Sequence, residues 1–191
     1  MASYAQNAVS GKLKRLSTSI KKADQEAINK LLEDGEIPEH LAFIAQMSIP
    51  QLEAAMVGLI PIVKIDKGKY LIGTEVKAIQ IKNDSLLARV GGGYVTLDEH
   101  IQKVARYECL RINQRMKKKN LDFKSAVNFY LDSHKVDPKV KASWLKSDNA
   151  TVQAFDSTMK VFEKRQELQE SKLKSSESLK KQAETTQKKL L

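Results

Sequence analysis

The chain has 191 residues, of which 33 are Lys or Arg and 23 are Asp or Glu, giving a formal net charge of +10. Such a chain suffices for one domain with appendages, and its charge attracts polyanions such as nucleic acid, anionic membranes or acidic protein tails. Cys109 is the only cysteine, which excludes an intrachain disulfide and a thiolate-rich metal site. Because no apolar stretch has the length of a signal peptide or membrane span, we expect a cytoplasmic protein without a membrane partner.

The front third of the sequence predicts helices. After residues 1–16, which we expect to be a flexible N-terminus, apolar residues recur at helical spacing until Gly35, which is a helix stop. The recurring residues are Ile20, Ala23, Ala27, Leu31 and Leu32. A second helix follows, and Ser48 with Gln51 forms a capping box for a third. Residues 17–60 are therefore predicted to be a helical segment.

Beyond Pro61 the apolar residues change from helical spacing to alternation. The stretch is rich in Val, Ile and Tyr, and it is interrupted by Gly, Asn and Asp, which tolerate the backbone angles of turns. We predict a meander of three or four short antiparallel strands. They are Val63–Ile65, Lys69–Ile72, Val76–Lys82 and Leu86–Val90.

A long helix is predicted after the strands. Thr96 and Glu99 form its capping box, and its apolar residues recur at steps of three and four, so this stripe should lie on the sheet. The stripe is Leu97, Ile101, Ala105, Cys109, Ile112 and Met116. Two shorter helices with aspartates at their N-termini complete a predicted α+β module over residues 61–147.

The C-terminal segment is predicted to be one long charged helix over residues 148–191. Its first apolar residues follow the a/d rhythm of a coiled coil. They are Val152, Phe155, Met159 and Phe162. Beyond Lys164 the helix has little to bury, so it needs a partner surface or it frays. The predicted fold class is α+β: a small antiparallel sheet packed with helices, an N-terminal helical segment and a long C-terminal helix.

The sharpest motif lies between the last predicted strand and the capped helix. It runs from Arg89 through three glycines to Tyr94, and after two further positions it continues as Leu97–Glu99. These residues resemble the signature of the growth-arrest-specific-two-related domain (GAR domain), in which Trp more usually occupies the position of Tyr94. The segment Lys64–Gly73 also resembles that family's Lys-Tyr turn. The resemblance covers residues 61–110 and implies microtubule binding in the cytoskeleton.

The sequence departs from the GAR family in its cysteines. GAR domains carry several cysteines thought to hold zinc, both before the sheet and after the helix, whereas here only Cys109 follows the helix. Helix geometry places His100 and Cys109 on opposite faces, and a structural zinc site normally needs four ligands. We therefore predict no metal and no cofactor. The sequence also lacks a P-loop, an HExxH pattern and a nucleophile elbow, so we predict no catalytic residues and no enzyme activity.

The predicted partner-binding surface combines the glycine motif with basic residues of the sheet and the long helix. For the glycines, the structural alternative is a tight passage from strand to helix with positive backbone angles. For the cations, it is a solvated face matched to the helix dipole. The candidate residues are Lys77, Lys82, Arg89, Gly91, Gly92, Gly93, Tyr94, Lys103, Arg106, Arg111, Arg115, Lys117, Lys118 and Lys119.

Three hypotheses follow from these patterns. The leading one is a non-enzymatic structural protein that binds tubulin on microtubules, belongs to a stable array such as a ciliary axoneme with its doublets, and contacts other microtubule-associated proteins through its terminal helices. The second is a nucleic-acid-binding protein that uses the same cations, which is less favoured because no known nucleic-acid motif is found. The third is a coiled-coil adaptor that dimerises through residues 152–162.

Overall fold

The first helix in the part of the chain that the structure describes is α1, over residues 24–33. The structure is a computed structural model that describes residue 22, residues 24–146 and residues 149–189, without the side chains of 149 and 179–189. The expectations for residues 1–16, and those for Ile20 and Ala23, lie outside the described residues. Helix α1 ends before Gly35, whose φ of +70° confirms the predicted helix stop.

Two further helices precede the sheet. At the position of the second predicted helix the chain forms a tighter 3-10 helix, Glu39–Gln46. Helix α2, Ile49–Leu59, begins with the predicted capping box, in which the backbone N–H of Ser48 donates to Gln51 Oε1 at 2.8 Å. Helix α2 packs against the long helix of the sheet region.

The sheet is a five-stranded antiparallel meander in which each strand pairs with its neighbour along the chain. The strands are β1 Ile62–Asp66, β2 Lys69–Ile72, β3 Glu75–Lys82, β4 Ser85–Val90 and β5 Gly93–Thr96. The prediction of three or four strands is wrong because Gly93–Thr96, read as a passage to the helix, forms an edge strand. The α+β fold class is confirmed.

Strand β3 changes partners along its length. Residues 75–78 pair with β2, whereas residues 79–82 pair with β4. The sheet is therefore two overlapping three-stranded halves that share β3. The half formed by β4 and β5 contacts the following helix and carries the glycine motif.

Four helices follow the sheet in the described part of the chain. They are α3 Leu97–Lys119, α4 Phe123–Ser133, α5 Pro138–Leu145 and α6 Asn149–Lys189. Aspartates at the N-caps of α4 and α5 accept backbone N–H groups, as their positions predict. Phe123 anchors this region, because its ring centroid lies 4.2 Å from that of Phe155 and 6.2 Å from that of Trp144.

The chain divides into two compact units. The sheet unit is Met47–Met159 and contains α2, the whole sheet, α3, α4 and α5. The helical unit consists of the described residues up to Gln46 and those from Lys160 onward. Polar contacts inside the helical unit join Lys172 to Asp24, Lys160 to Glu36 and Arg165 to the carbonyl of Ala45.

Candidate functional site

Helix α3 is the platform of the candidate site. Its capping box is formed as predicted: Thr96 Oγ1 accepts from the backbone N–H of Glu99 at 3.3 Å, and Asn120 ends the helix in the left-handed conformation. Ala105, Cys109 and Ile112 are almost completely buried. Helix α3 contacts α2, α4, β4 and β5, so side chains on its remaining face project from a rigid support.

The buried turn between β2 and β3, Gly73 and Thr74, is hydrogen-bonded to the same helix. The carboxylate of Glu108 accepts from the backbone N–H of Thr74 at 2.7 Å and from Thr74 Oγ1 at 2.6 Å. A Cβ on Gly73 would lie 2.5 Å from the Cβ of Glu108, so only glycine fits there. Sequence reasoning missed this contact, although Glu108 falls on the buried arc of the helix beside Cys109, where an isolated carboxylate requires hydrogen-bond donors.

The glycine motif forms a hairpin instead of a passage from strand to helix. Gly91 and Gly92 are the two loop residues between β4 and β5, and Val90 pairs with Gly93. Only Gly91 among the three glycines of the motif has a positive φ, +59°. A positive φ at the first loop position alone is the pattern of a type II′ hairpin turn. The alternative of a tight passage from strand to helix with positive backbone angles is therefore wrong, because the glycines form a hairpin turn in which one of them has a positive φ.

The residues that flank the glycines lie on the outer face of the sheet. Arg89 pairs directly with Tyr94, so their side chains project to the same face, opposite the buried Ala88. Strand alternation places Lys82 on this outer face as well, at the other end of β4. Lys77 lies on the opposite face, where its Nζ pairs with Glu75 Oε2 at 2.7 Å.

Several predicted binding cations are engaged inside the sheet unit. Arg111 contacts Glu75 and Glu108, each at 3.1 Å. The hydrogen bond from Lys77, followed by that from Arg111, lowers the pKa of the Glu75 carboxyl. Two other arginines are also held: Arg106 pairs with Glu53 at 3.0 Å, and the guanidinium of Arg115 lies 4.2 Å from the ring centroid of Phe129.

The other predicted cations are exposed at the surface. Within the described residues no ion pair is found for five of them: Lys82, Arg89, Lys103, Lys118 and Lys119. Lys117 is likewise exposed in the last turn of α3. The structure thus splits the predicted basic surface into a sheet group beside the glycine hairpin and a helix group at the C-terminal end of α3, with Lys103 nearer the start of that helix.

One exposed aromatic residue on α3 was missed by sequence reasoning. Tyr107 is 61% exposed, and the guanidinium of Arg106 lies 5.8 Å from its ring centroid. Steps of four, seven and four residues place Lys103, Tyr107, Gln114 and Lys118 on one helical face. The signal in the sequence was a tyrosine off the apolar stripe and between two lysines of the polar face.

Two groups considered as ligands are buried. His100 is 6% exposed, and burial lowers its pKa, with Lys77 adding to the effect. Burial raises the pKa of the Cys109 thiol to about 12, so this cysteine packs as an apolar group. No group of three His, Cys, Asp or Glu side chains able to hold a metal ion occurs among the described residues.

In the described ranges, no helix is both long enough and apolar enough to cross a membrane.

The comparisons with known proteins address the motif directly. Residues 52–109 match the family model of the Growth-Arrest-Specific Protein 2 Domain. The match begins in α2 and ends in α3, so it contains the whole sheet with the turns of Gly73 and Gly91. No curated protein and no solved structure matches the chain significantly. The family recognised from the glycine motif is thereby confirmed: residues 52–109 carry a domain of the Growth-Arrest-Specific Protein 2 family, which is generally associated with binding to microtubules and the cytoskeleton and is not a known catalytic family.

Proposed function

We propose that the protein is a non-enzymatic structural component that binds tubulin on microtubules through its sheet unit, which includes the predicted module of residues 61–147. The observation that carries this proposal is the family match over residues 52–109, which covers the sheet and the first half of α3. The exposed cations of that region supply the charge that an acidic tubulin surface requires. Arg106, Arg111 and Arg115 contact side chains of the sheet unit itself, so we assign them a supporting role.

Substitutions at the C-terminal end of α3 test the proposal, because Lys117, Lys118 and Lys119 are exposed and consecutive there. Changing all three to Glu should weaken co-sedimentation of the full chain with stabilised microtubules. A matched variant changes the exposed Lys67, Lys139 and Lys146 to Glu, which shifts the net charge equally at other places. Equal loss of binding by both variants would mean that only net charge matters.

A salt series with a nucleic-acid competitor separates the leading hypothesis from its alternative. Binding that depends on phosphate neutralisation falls steeply with salt and is displaced by competing nucleic acid. We expect saturable pelleting with microtubules that survives the competitor. Ready displacement would favour the nucleic-acid hypothesis.

Thermal unfolding of each lysine variant provides the control for folding. If the Glu variant is unstable, replacing the three lysines by Gln removes their charge without placing negative charge at the C-terminal end of the helix dipole.

We propose further that the protein serves a stable microtubule array such as the ciliary axoneme with its doublets, where its terminal helices contact other microtubule-associated proteins. Helix α6 has 41 residues, and its side chains over residues 169–178 are almost all exposed. Such a helix spans about 60 Å, and a polymer lattice offers a surface of comparable length. Diffuse labelling of cytoplasmic microtubules by the tagged full chain, without enrichment in cilia, would contradict this location.

The structure also bears on the coiled-coil alternative. Phe155, Met159 and Phe162, the centre of the predicted seam, are at most 2% exposed within the single chain. A dimer seam would have to expose them first, at a considerable cost in buried apolar surface. We therefore expect a monomer in sedimentation analysis of the free protein.

A further inference from the structure

The three glycines of the hairpin are unequal in what the fold demands of them. Gly91 adopts the left-handed φ of +59° that favours glycine. Gly92 and Gly93 do not have such a φ, and a Cβ on either would meet nothing within 4 Å. Glycine in a strand also weakens that strand, because it has no side chain to pack. The fold of the free chain therefore explains Gly91 but gives no reason for Gly92 or Gly93.

The bare backbone is surrounded by side chains suited to contact with a protein. On one face of the hairpin Val90 is 38% exposed, and on the other Tyr94 is 48% exposed beside Arg89. Within the described residues Arg89 has no acidic partner. An apolar group, an amphipathic ring and an available cation thus flank a thin tip, and tyrosine and arginine are the residue types enriched where interfaces derive most of their binding energy.

We propose that the tip of the β4–β5 hairpin, Arg89–Tyr94, seats against a folded acidic protein surface with the main chain of Gly92 and Gly93 in direct contact. This inference rests on the proposed function, so that the surface is the folded body of the microtubule and not the flexible acidic tails of tubulin. A missing Cβ matters only against a partner that cannot move away. A flexible tail would accommodate an added methyl group, whereas a packed surface would not.

The test uses the full chain with Gly92→Ala and Gly93→Ala. Because the added methyl groups meet open space, both variants should fold as the wild type does. Binding to stabilised microtubules should weaken about tenfold, the loss expected when one methyl group prevents close packing at an interface. Gly58→Ala is the matched control: Gly58 lies in α2, its Cβ would also meet nothing within 4 Å, and its binding should equal that of the wild type.

A second arm distinguishes the folded surface from the tails. Microtubules stripped of their acidic tails by limited proteolysis should still bind the wild type more tightly than Gly92→Ala or Gly93→Ala, by the same ratio. If both variants bind intact microtubules as well as the wild type does, the inference is wrong while the proposed function stands. Disappearance of the difference on stripped microtubules would overturn the inference as well. Failure of the wild type to bind at all would overturn the proposed function and this inference together.

Discussion

Two glycine turns of the sheet, those that begin with Gly73 and with Gly91, have similar backbones and opposite surroundings. Gly73 begins the turn between β2 and β3 with a φ of +64°, and Gly91 begins the turn between β4 and β5 with a φ of +59°. At the first turn the side chain of Glu108 fills the space that a Cβ would need. At the second turn the corresponding space is open.

The difference teaches that one local motif can have two causes. Gly73 is explained within the chain, because the turn closes on a carboxylate of α3. The hairpin of Gly91–Gly93 contacts nothing that would select glycine at its second and third positions. The first turn therefore belongs to stability, and we assign the second to recognition. Substitutions at both turns can break this assignment.

The largest effect is expected for Gly73→Ala. Alanine at a left-handed φ is strained, and its Cβ would overlap the buried side chain of Glu108, so we expect a loss of about 2 to 5 kcal/mol of unfolding free energy. Urea denaturation followed by circular dichroism measures it. A loss no greater than that of Gly91→Ala would show that the overlap is relieved by movement of Glu108 and that the two turns do not differ in what they require of glycine.

The next effect is expected for Glu108→Gln, which keeps the size of the side chain and removes its charge. The amide oxygen of Gln can still accept from Thr74, but the amide nitrogen is a donor and would face the donating guanidinium of Arg111. We therefore expect a loss of about 1 to 3 kcal/mol of unfolding free energy. Thr74→Val alone and in combination forms a double-mutant cycle. Simple additivity in that cycle would mean that the two residues are not coupled.

Local features of the fold were predictable from the sequence, whereas long-range pairings were not. Both capping boxes were found because their partners lie three residues apart. The bond between Thr74 and Glu108 spans 34 positions, and that between Glu75 and Arg111 spans 36. Sequence reasoning could therefore identify the basic residues but not which of them the fold already uses. Strand β5 was missed because it starts with a glycine and its last residue, Thr96, is already the N-cap of α3.

A smaller effect is expected for Gly91→Ala. Its Cβ would meet open space, so the cost is only that of holding alanine at a φ of +59°, about 1 to 2 kcal/mol. The same denaturation measurement applies, with Gly58→Ala as the reference for a glycine at an ordinary φ. Gly92→Ala should not be destabilised in this assay. A loss at Gly92 equal to that at Gly91 would mean that the turn itself requires both glycines, which removes the argument for recognition.

The smallest effect concerns pH and should act near the buried turn. Burial, with Lys77 and Lys103 adding to it and Glu75 and Glu108 opposing it, lowers the pKa of His100 from its ordinary value of 6.5. A lowered pKa means that the unfolded chain binds the proton more readily. The contribution of His100 to the free energy of unfolding is therefore complete above pH 6.5 and declines as the pH falls toward the lower pKa of the folded state.

The lowered pKa of Glu75 changes stability at a lower pH, below that carboxyl's ordinary value of 4.5. The contributions of His100 and Glu75 to stability can therefore be measured separately. Thermal unfolding between pH 7.5 and pH 5.5 should show a decline in stability that His100→Gln reduces. The glycine hairpin, Arg89–Tyr94, contains neither of these two groups. The ratio of microtubule affinities of the wild type and Gly92→Ala should therefore stay constant across it. If this ratio changes over the pH range in which His100 becomes protonated, the two turns are coupled. The division between a turn for stability and a turn for recognition then fails.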